Sequence, residues 1–207
     1  MNLKRFQKRY QRAKTVCYIN TSAGVKAHSD ICCTSANSLK IVNSLKAKRI
    51  IFIPDKNLAN FTARHTEKEI IPYPGFCYVH SQFKLKEIER LKELHPKAKI
   101  IAHPECPPEI IEISDFVCST SQMLEKAKKE KAKEFIILTE AGMLERLKRE
   151  VPEKKFYTTS PPKICYEQKE IRLENVYFSL SKMKHQIKIP QKILLKAKDT
   201  LNKMLAV

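Results

Sequence analysis

Short apolar runs alternate with amphipathic stretches along this chain, and the alternation predicts its elements in turn. Thr15–Asn20, Ile31–Cys33, Arg49–Ile53 and Glu69–Pro72 read as strands. Ala36–Leu45, Asn57–Arg64 and Lys84–Leu94 read as helices, the last ended by His95-Pro96. The order then recurs as strand Lys99–Ala102, helix Pro108–Ile113, strand Phe116–Val117, helix Gln122–Lys131, strand Glu134–Leu138, helix Met143–Glu150 and strand Lys155–Tyr157. Proline opens the helix at Pro108, where its missing N–H costs nothing. Phe76–His80 and Ser160–Cys165 read as loops, and Leu173–Met183 and Pro190–Leu205 as helices, the last with no counterpart earlier. At the start, Leu3, Phe6 and Tyr10 share one helical face of Met1–Lys14, a stretch with six basic residues and no acid.

The recurrence is a true repeat. Asp30-Ile-Cys-Cys-Thr-Ser35 returns as Asp115-Phe-Val-Cys-Ser-Thr120, 85 positions on. The same shift carries Arg49–Asp55 onto Glu134–Glu140 and Tyr18-Ile-Asn20 onto His103-Pro-Glu105. Strands alternating with helices make parallel sheets covered on both faces. The expected fold is therefore α/β: two repeated three-layer α/β/α units with small parallel sheets. The expected division is a leading helix at 1–14, one unit at 15–97, a second at 98–188 and a terminal helix at 189–207.

Composition narrows the function. An apolar content of 43% supports packed cores and excludes a disordered chain. A formal net charge of +18 invites a nucleic-acid reading, or a leading basic arm or transit peptide. However, the basic residues alternate with Glu on helices such as Lys84–Leu94, as solvated faces do. No RNA-recognition signature is present, so no nucleic-acid partner is expected. The positive field would equally attract small anions. Seven Cys occur without CxxC, secretory signal or a run of about 20 apolar residues. A cytoplasmic protein with free thiols and no membrane partner is expected.

Polar residues directly after buried strands are where open α/β sheets bind ligands. Tyr18 and Asn20, and their equivalents His103 and Glu105, sit two apart and so share a side of the chain. Together they can donate, accept and transfer protons. The competing reading is that they cap neighbouring helices. Thr34-Ser35 and Ser119-Thr120 each precede a helix, as an ordinary N-cap or as a seat for a carboxylate or phosphate. Cys77 and Cys165 lie in proline-containing loops, 88 positions apart, consistent with a loop insertion. Two thiolates are too few for a structural zinc site; with one more Cys, an iron–sulfur cluster becomes conceivable.

Cys17–Ala23, Ser29–Asn37, Pro54–Leu58, Pro74–His80, His103–Pro108 and Ser119–Ser121 closely resemble motifs of the quinolinate synthase A family, in the same order. The resemblance runs from Ala13 to the C-terminus. It implies condensation of iminosuccinate (iminoaspartate) with dihydroxyacetone phosphate, giving quinolinate, phosphate and water in de novo NAD biosynthesis. It also implies three pseudo-symmetric α/β domains around a [4Fe-4S] cluster held by three Cys, its fourth iron open as a Lewis acid. By matching motifs, Cys77 and Cys165 are implied cluster ligands. Tyr18, Ile19, Asn20, Ser35, His103, Pro104, Glu105 and Thr120 are the implied substrate contacts. Tyr18 and Glu105 are implied in proton transfer, assisted by His103 and His80. L-aspartate oxidase or aspartate dehydrogenase is the implied source of iminosuccinate.

An upstream copy of Tyr18/Asn20 would fall before residue 1, so the family's first domain is expected to be missing here, and with it the third cluster Cys. Cys17, Cys32, Cys33, Cys106 and Cys118 occupy strand or strand-end positions and do not replace it. A separate polypeptide would then have to supply that domain. The alternative is a fragment that folds without catalysis and binds no complete cluster.

Overall fold

The computed structural model describes residues 3–207. The first unit runs α1 (Leu3–Arg9), β1 (Lys14–Tyr18), α2 (Ala23–Lys26), β2 (Ile31–Cys33), α3 (Ser38–Ser44), β3 (Arg49–Ile53), α4 (Lys56–Ala63) and β4 (Glu69–Pro72). A 3-10 turn at His80–Gln82 leads into the second. That unit runs α5 (Leu85–Leu94), β5 (Lys99–Ala102), α6 (Pro108–Glu112), β6 (Phe116–Val117), α7 (Thr120–Lys129), β7 (Glu134–Leu138), α8 (Ala141–Glu150) and β8 (Lys155–Tyr157). Three helices close the chain: α9 (Tyr166–Lys169), α10 (Leu173–Lys182) and α11 (Gln191–Leu205). Residues 1–2 of the predicted leading helix lie outside the described residues.

The two sheets are all parallel, with orders β2-β1-β3-β4 and β6-β5-β7-β8. Identical order in both halves confirms the repeated α/β architecture. Each sheet is covered on both faces, which is why β3, β5 and β7 are almost uninterrupted apolar runs and β1 buries Thr15, Val16 and Cys17 in succession. In the first, Val16, Ile50 and Phe52 pack on Ile41 and Leu58, while Cys17, Ile51 and Ile53 pack on Phe6 and Leu201. In the second, Ile101, Phe135 and Ile137 meet Met123 and Leu147, while Ile100 and Ile136 meet Ile88 and Ile110. The connection reverses direction between β1 and β3, and again between β5 and β7. Such reversals open a crevice at the carboxyl ends of the strands.

Three local differences from the sequence reading have physical causes. Helix α2 is present between two strands where the sequence reading names no helix; Ser22 caps it by accepting from Val25 N, and its partner under the 85-residue shift is α6. The hydroxyl pairs do not open their helices alike. Ser119 is the N-cap of α7 and forms a full capping box with Gln122. Asn37, not Ser35, precedes α3, and its Oδ1 accepts from Thr34 N at 2.6 Å and Thr34 Oγ1 at 3.0 Å. Finally, α11 returns to the first unit, where Leu201 and Met204 join the core beside Phe6. Thr200 Oγ1 lies 3.0 Å from the Lys26 carbonyl and 2.9 Å from that of Lys196. By contrast α10 buries none of its residues and leaves Leu173, Tyr177 and Leu180 exposed.

The repeat extends to its hydrogen bonds. Asp30 accepts from Thr15 N at 2.8 Å and Lys14 Nζ at 2.7 Å. Asp115 accepts from Ile100 N at 2.8 Å and Lys99 Nζ at 2.6 Å. Burial alone would raise the Asp115 carboxyl, but Lys99 and the Ile100 N–H outweigh it and hold it below its ordinary value. A depressed folded pKa contributes stability above the unfolded value and loses it as pH falls through the folded one. Asp115→Ala is therefore expected to cost about 1 kcal/mol at pH 7, a charged hydrogen bond discounted for partial exposure. In urea unfolding the difference should shrink progressively as the pH falls below the ordinary aspartate range.

Candidate active site

The crevices of both units open into one cavity of about 730 Å³. Tyr18 and Asn20 reach it from the end of β1, Ser35 from beyond β2, His103 and Glu105 from the end of β5, and Thr120 from the start of α7. Cys77, His80 and Cys165 line the same space. The strand-tip pairs, one hydroxyl of each tandem pair (Ser35 and Thr120) and both loop thiols singled out from the sequence therefore meet, while Thr34 and Ser119 do not line the cavity. Ile19 and Pro104 do not line the cavity; each separates two side chains that do. Ile19 N instead donates to the Cys33 carbonyl at 2.7 Å, and Pro104 is buried. A more open depression of about 700 Å³ lies elsewhere, between Ile88, Lys92 and Ile113, and is lined by neither cysteine nor histidine.

At the floor, Glu105 Oε2 lies 3.2 Å from Nδ1 of both His80 and His103. The two imidazoles stack with centroids 4.4 Å apart and an interplanar angle of 15°. Rings this close do not both carry charge. Burial disfavours charge on His80, but Cys77 and Glu105 overcome it and raise its pKa to about 9. Burial, aided by the charge on His80, keeps His103 below its ordinary value. Glu105 would be raised by burial, yet the two histidines pull it down to about 2. The resting state is thus a carboxylate between one imidazolium and one neutral imidazole. His80 Nε2 is fixed by Thr139 Oγ1 at 2.9 Å, and Asn57 Nδ2 of the first unit donates to the Glu105 carbonyl at 3.0 Å. Tyr18 is raised above its ordinary value by burial and then by the Glu105 charge, with the Ser35 hydroxyl acting the other way. It is a proton donor, not a phenolate, at neutral pH.

Cys77 and Cys165 are half-buried, whereas the other five cysteines are buried and none of them lines the cavity. The loops that carry the two thiols are clasped to each other. Tyr166 N donates to Tyr78 Oη at 2.9 Å, and Tyr78 Oη in turn donates to Glu167. Gly75 sits where the Cys77 loop crosses β3; an added Cβ would stand 2.5 Å from the Pro54 carbonyl oxygen. Gly75→Ala must therefore push the loop away, with an expected loss of about 2 kcal/mol in urea unfolding from overpacking. Faster alkylation of Cys77 should accompany it.

The donors suit a soft or borderline metal. Cys77 Sγ, a His80 ring nitrogen and a Glu105 oxygen lie within 4.8 Å of one another. His80 Nδ1 is buried with no aligned hydrogen-bond partner. Cys77 and Cys165 line the same cavity, and thiolates are the ligands that iron–sulfur clusters take.

Comparison with known proteins places this geometry. A family model described as quinolinate synthetase A protein matches residues 1–206. Quinolinate synthase of Methanosarcina barkeri is 47% identical over 205 residues, covering 99% of this chain and 67% of the relative. Quinolinate synthase 2 of Methanosarcina acetivorans is 44% identical, covering 99% and 66%, and quinolinate synthase of Alkaliphilus metalliredigens is 46% identical, covering 99% and 68%. The chain belongs to the quinolinate synthase A family. It spans about two thirds of the length of these curated relatives. In this family member, several cavity residues were assigned no role from the sequence: Asp55, Thr139, Glu140, Arg146, Gln168 and Lys169, with Asn57 behind them on the Glu105 carbonyl. The 85-residue shift that equates Asp55 with Glu140 was the available signal for two of them. Among the described residues, no helix is long and apolar enough to cross a membrane.

Proposed function

We propose that this chain forms two thirds of a quinolinate synthase, condensing iminosuccinate with dihydroxyacetone phosphate to quinolinate, phosphate and water. The observation that carries the proposal is the convergence of both units' strand tips and both loop thiols on one cavity. Cys77 and Cys165 are two of the ligands of a [4Fe-4S] cluster; the remaining thiolate comes from the additional length that the relatives possess, on the same polypeptide or a separate one. When bound, such a cluster with an open iron supplies Lewis-acid polarisation of a substrate oxygen or nitrogen.

The protein's own residues do the rest. Asn20, Ser35 and Thr120 offer neutral donors and acceptors at the rim and hold the substrates' carboxylate and phosphate oxygens. Ile19 and Pro104 space their neighbours so that both side chains of each pair face inward. Glu105, ionised and held between two imidazoles, accepts a proton from the substrate carbon or nitrogen. His80 and His103 set its orientation; the neutral His103 can take that proton on, and the His80 imidazolium can return one. Tyr18 donates its phenolic proton to a departing oxygen. The net positive charge draws the anionic substrates in. Iminosuccinate comes from the oxidation of L-aspartate, by an aspartate oxidase or dehydrogenase.

Anaerobic reconstitution with iron and sulfide tests the reading. Alone, the chain is expected to take up iron substoichiometrically and make no quinolinate. Supplied with the additional third of a relative, it should bind a full cluster and turn over. Inactivity with a full cluster would refute the catalytic assignment, leaving a folded, non-catalytic binding fragment.

A further inference from the structure

We propose that Asp55 and Glu140 are a matched pair of positioning residues, each fixing the loop cysteine of its own unit through that cysteine's main-chain N–H. The inference rests on the reading of Cys77 and Cys165 as cluster ligands for its purpose, but its geometry stands apart from it. Asp55 follows β3, and Oδ1 accepts from Leu58 N at 2.7 Å, capping α4. Its second oxygen, Oδ2, accepts from Cys77 N, also at 2.7 Å. Glu140 follows β7; Oε2 accepts from Gly142 N at 2.7 Å, capping α8, and Oε1 accepts from Cys165 N at 3.4 Å. Lys169 Nζ lies 3.4 Å from that same Oε1.

A helix cap by itself does not account for this. One oxygen satisfies an N-cap, and Ser or Thr serves as well as Asp, whereas Glu is not a favoured capping residue. Both positions nevertheless carry a carboxylate, and in both the spare oxygen goes to the cysteine. A second bond repeats beside the first. Lys56 N donates to the Gly75 carbonyl at 2.8 Å, and Ala141 N donates to the Lys163 carbonyl at 2.9 Å, each two residues before the cysteine. The acids are 85 residues apart and the cysteines 88, so the second loop is longer. The same two bonds re-form despite that insertion. Anchoring the N–H holds the peptide plane that enters the cysteine and so narrows the positions its side chain can take; both cysteines line the cavity. A buried acceptor shared by a helix end and a loop makes the two move as one piece.

The test uses Asp55→Ser and Glu140→Ser in the full chain. Serine retains a capping oxygen and removes the second acceptor. Amide hydrogen exchange resolved by NMR, and iodoacetamide alkylation mapped to each cysteine, are the readouts. Asp55→Ser should accelerate exchange at Cys77 N–H and alkylation of Cys77 by about tenfold or more, the usual consequence of losing a locally protecting bond. Leu58 N–H and Cys165 should stay at wild-type rates. Glu140→Ser should do the reverse, loosening Cys165 and sparing Cys77. The proposal is overturned if the matched cysteine is unchanged, or if α4 or α8 loosens as much as the cysteine. Should Asp55→Ser fail to fold, the less buried Glu140 site decides the matter by the same criteria. Iron uptake is measured alongside. A wild-type chain that binds no iron at either thiol defeats the ligand reading and leaves the positioning result standing.

Discussion

Replacing Glu105 by Ala is expected to give the largest single loss in this protein, in both stability and turnover. Its Oε2 lies 3.2 Å from Nδ1 of both His80 and His103, and all three side chains are buried. Removing it leaves the His80 imidazolium without its neutralising partner in a poorly solvated site. Breaking a buried ion pair in this way costs about 3–5 kcal/mol. His80 would then shed its proton, which recovers part of that cost, so the observed loss should approach the lower figure. Urea unfolding at pH 7 measures it. Loss of a general base slows proton transfer by about 10²–10⁴-fold, and quinolinate formation in the complete, reconstituted enzyme should fall by that factor. Glu105→Gln separates the two effects. It preserves shape and removes the charge, so it should retain more stability than Ala while losing as much turnover. Equal activity of Gln and wild type would remove Glu105 from the chemistry.

The second large effect concerns the thiols, and it differs in kind between two groups of cysteines. Cys77→Ser and Cys165→Ser alter half-exposed loop positions whose side chains do not fill a core. Each should leave the unfolding midpoint within about 0.5 kcal/mol of wild type, as surface changes usually do. Each should also remove most iron bound on reconstitution, because serine is a poor ligand for an iron–sulfur centre. Cys33→Ser and Cys106→Ser should behave in the opposite way. Both thiols are buried among aliphatic side chains, and a hydroxyl placed there costs about 1–3 kcal/mol unless it finds a partner. Their iron content per folded molecule should match wild type. Iron loss from the buried variants alone would mean that the ligands have been wrongly chosen.

Much of this site was legible before any coordinates, for a specific reason. Strand tips in a parallel sheet face one way, so residues such as Tyr18, Asn20, His103 and Glu105 announce themselves by following apolar runs. The 85-residue shift then doubled every weak signal. His80 was less accessible to this reasoning, because it precedes no strand and follows none; only its motif brought it forward. Asp55 and Glu140 read as ordinary residues after a strand, and their second oxygens became meaningful only beside Cys77 and Cys165. Thr139 and Asn57 fall inside runs that the sequence reading used, yet nothing local revealed their roles. Each matters through one contact, to His80 Nε2 or the Glu105 carbonyl, with a residue 59 or 48 positions away.

Sequence alone determined the elements, their parallel arrangement and the twofold repetition. These follow from side-chain period and turn chemistry, which act over a few residues and need no knowledge of the rest of the chain. Tertiary structure decided that the two crevices face each other, that Tyr78 joins the cysteine loops, and that α11 crosses back to seal the first sheet rather than the second. Both sheets present similar apolar faces, so pattern cannot say which one a terminal amphipathic helix will cover. That choice depends on shape and on a few polar anchors such as Thr200, whose partners Lys26 and Ser29 lie more than 170 residues away.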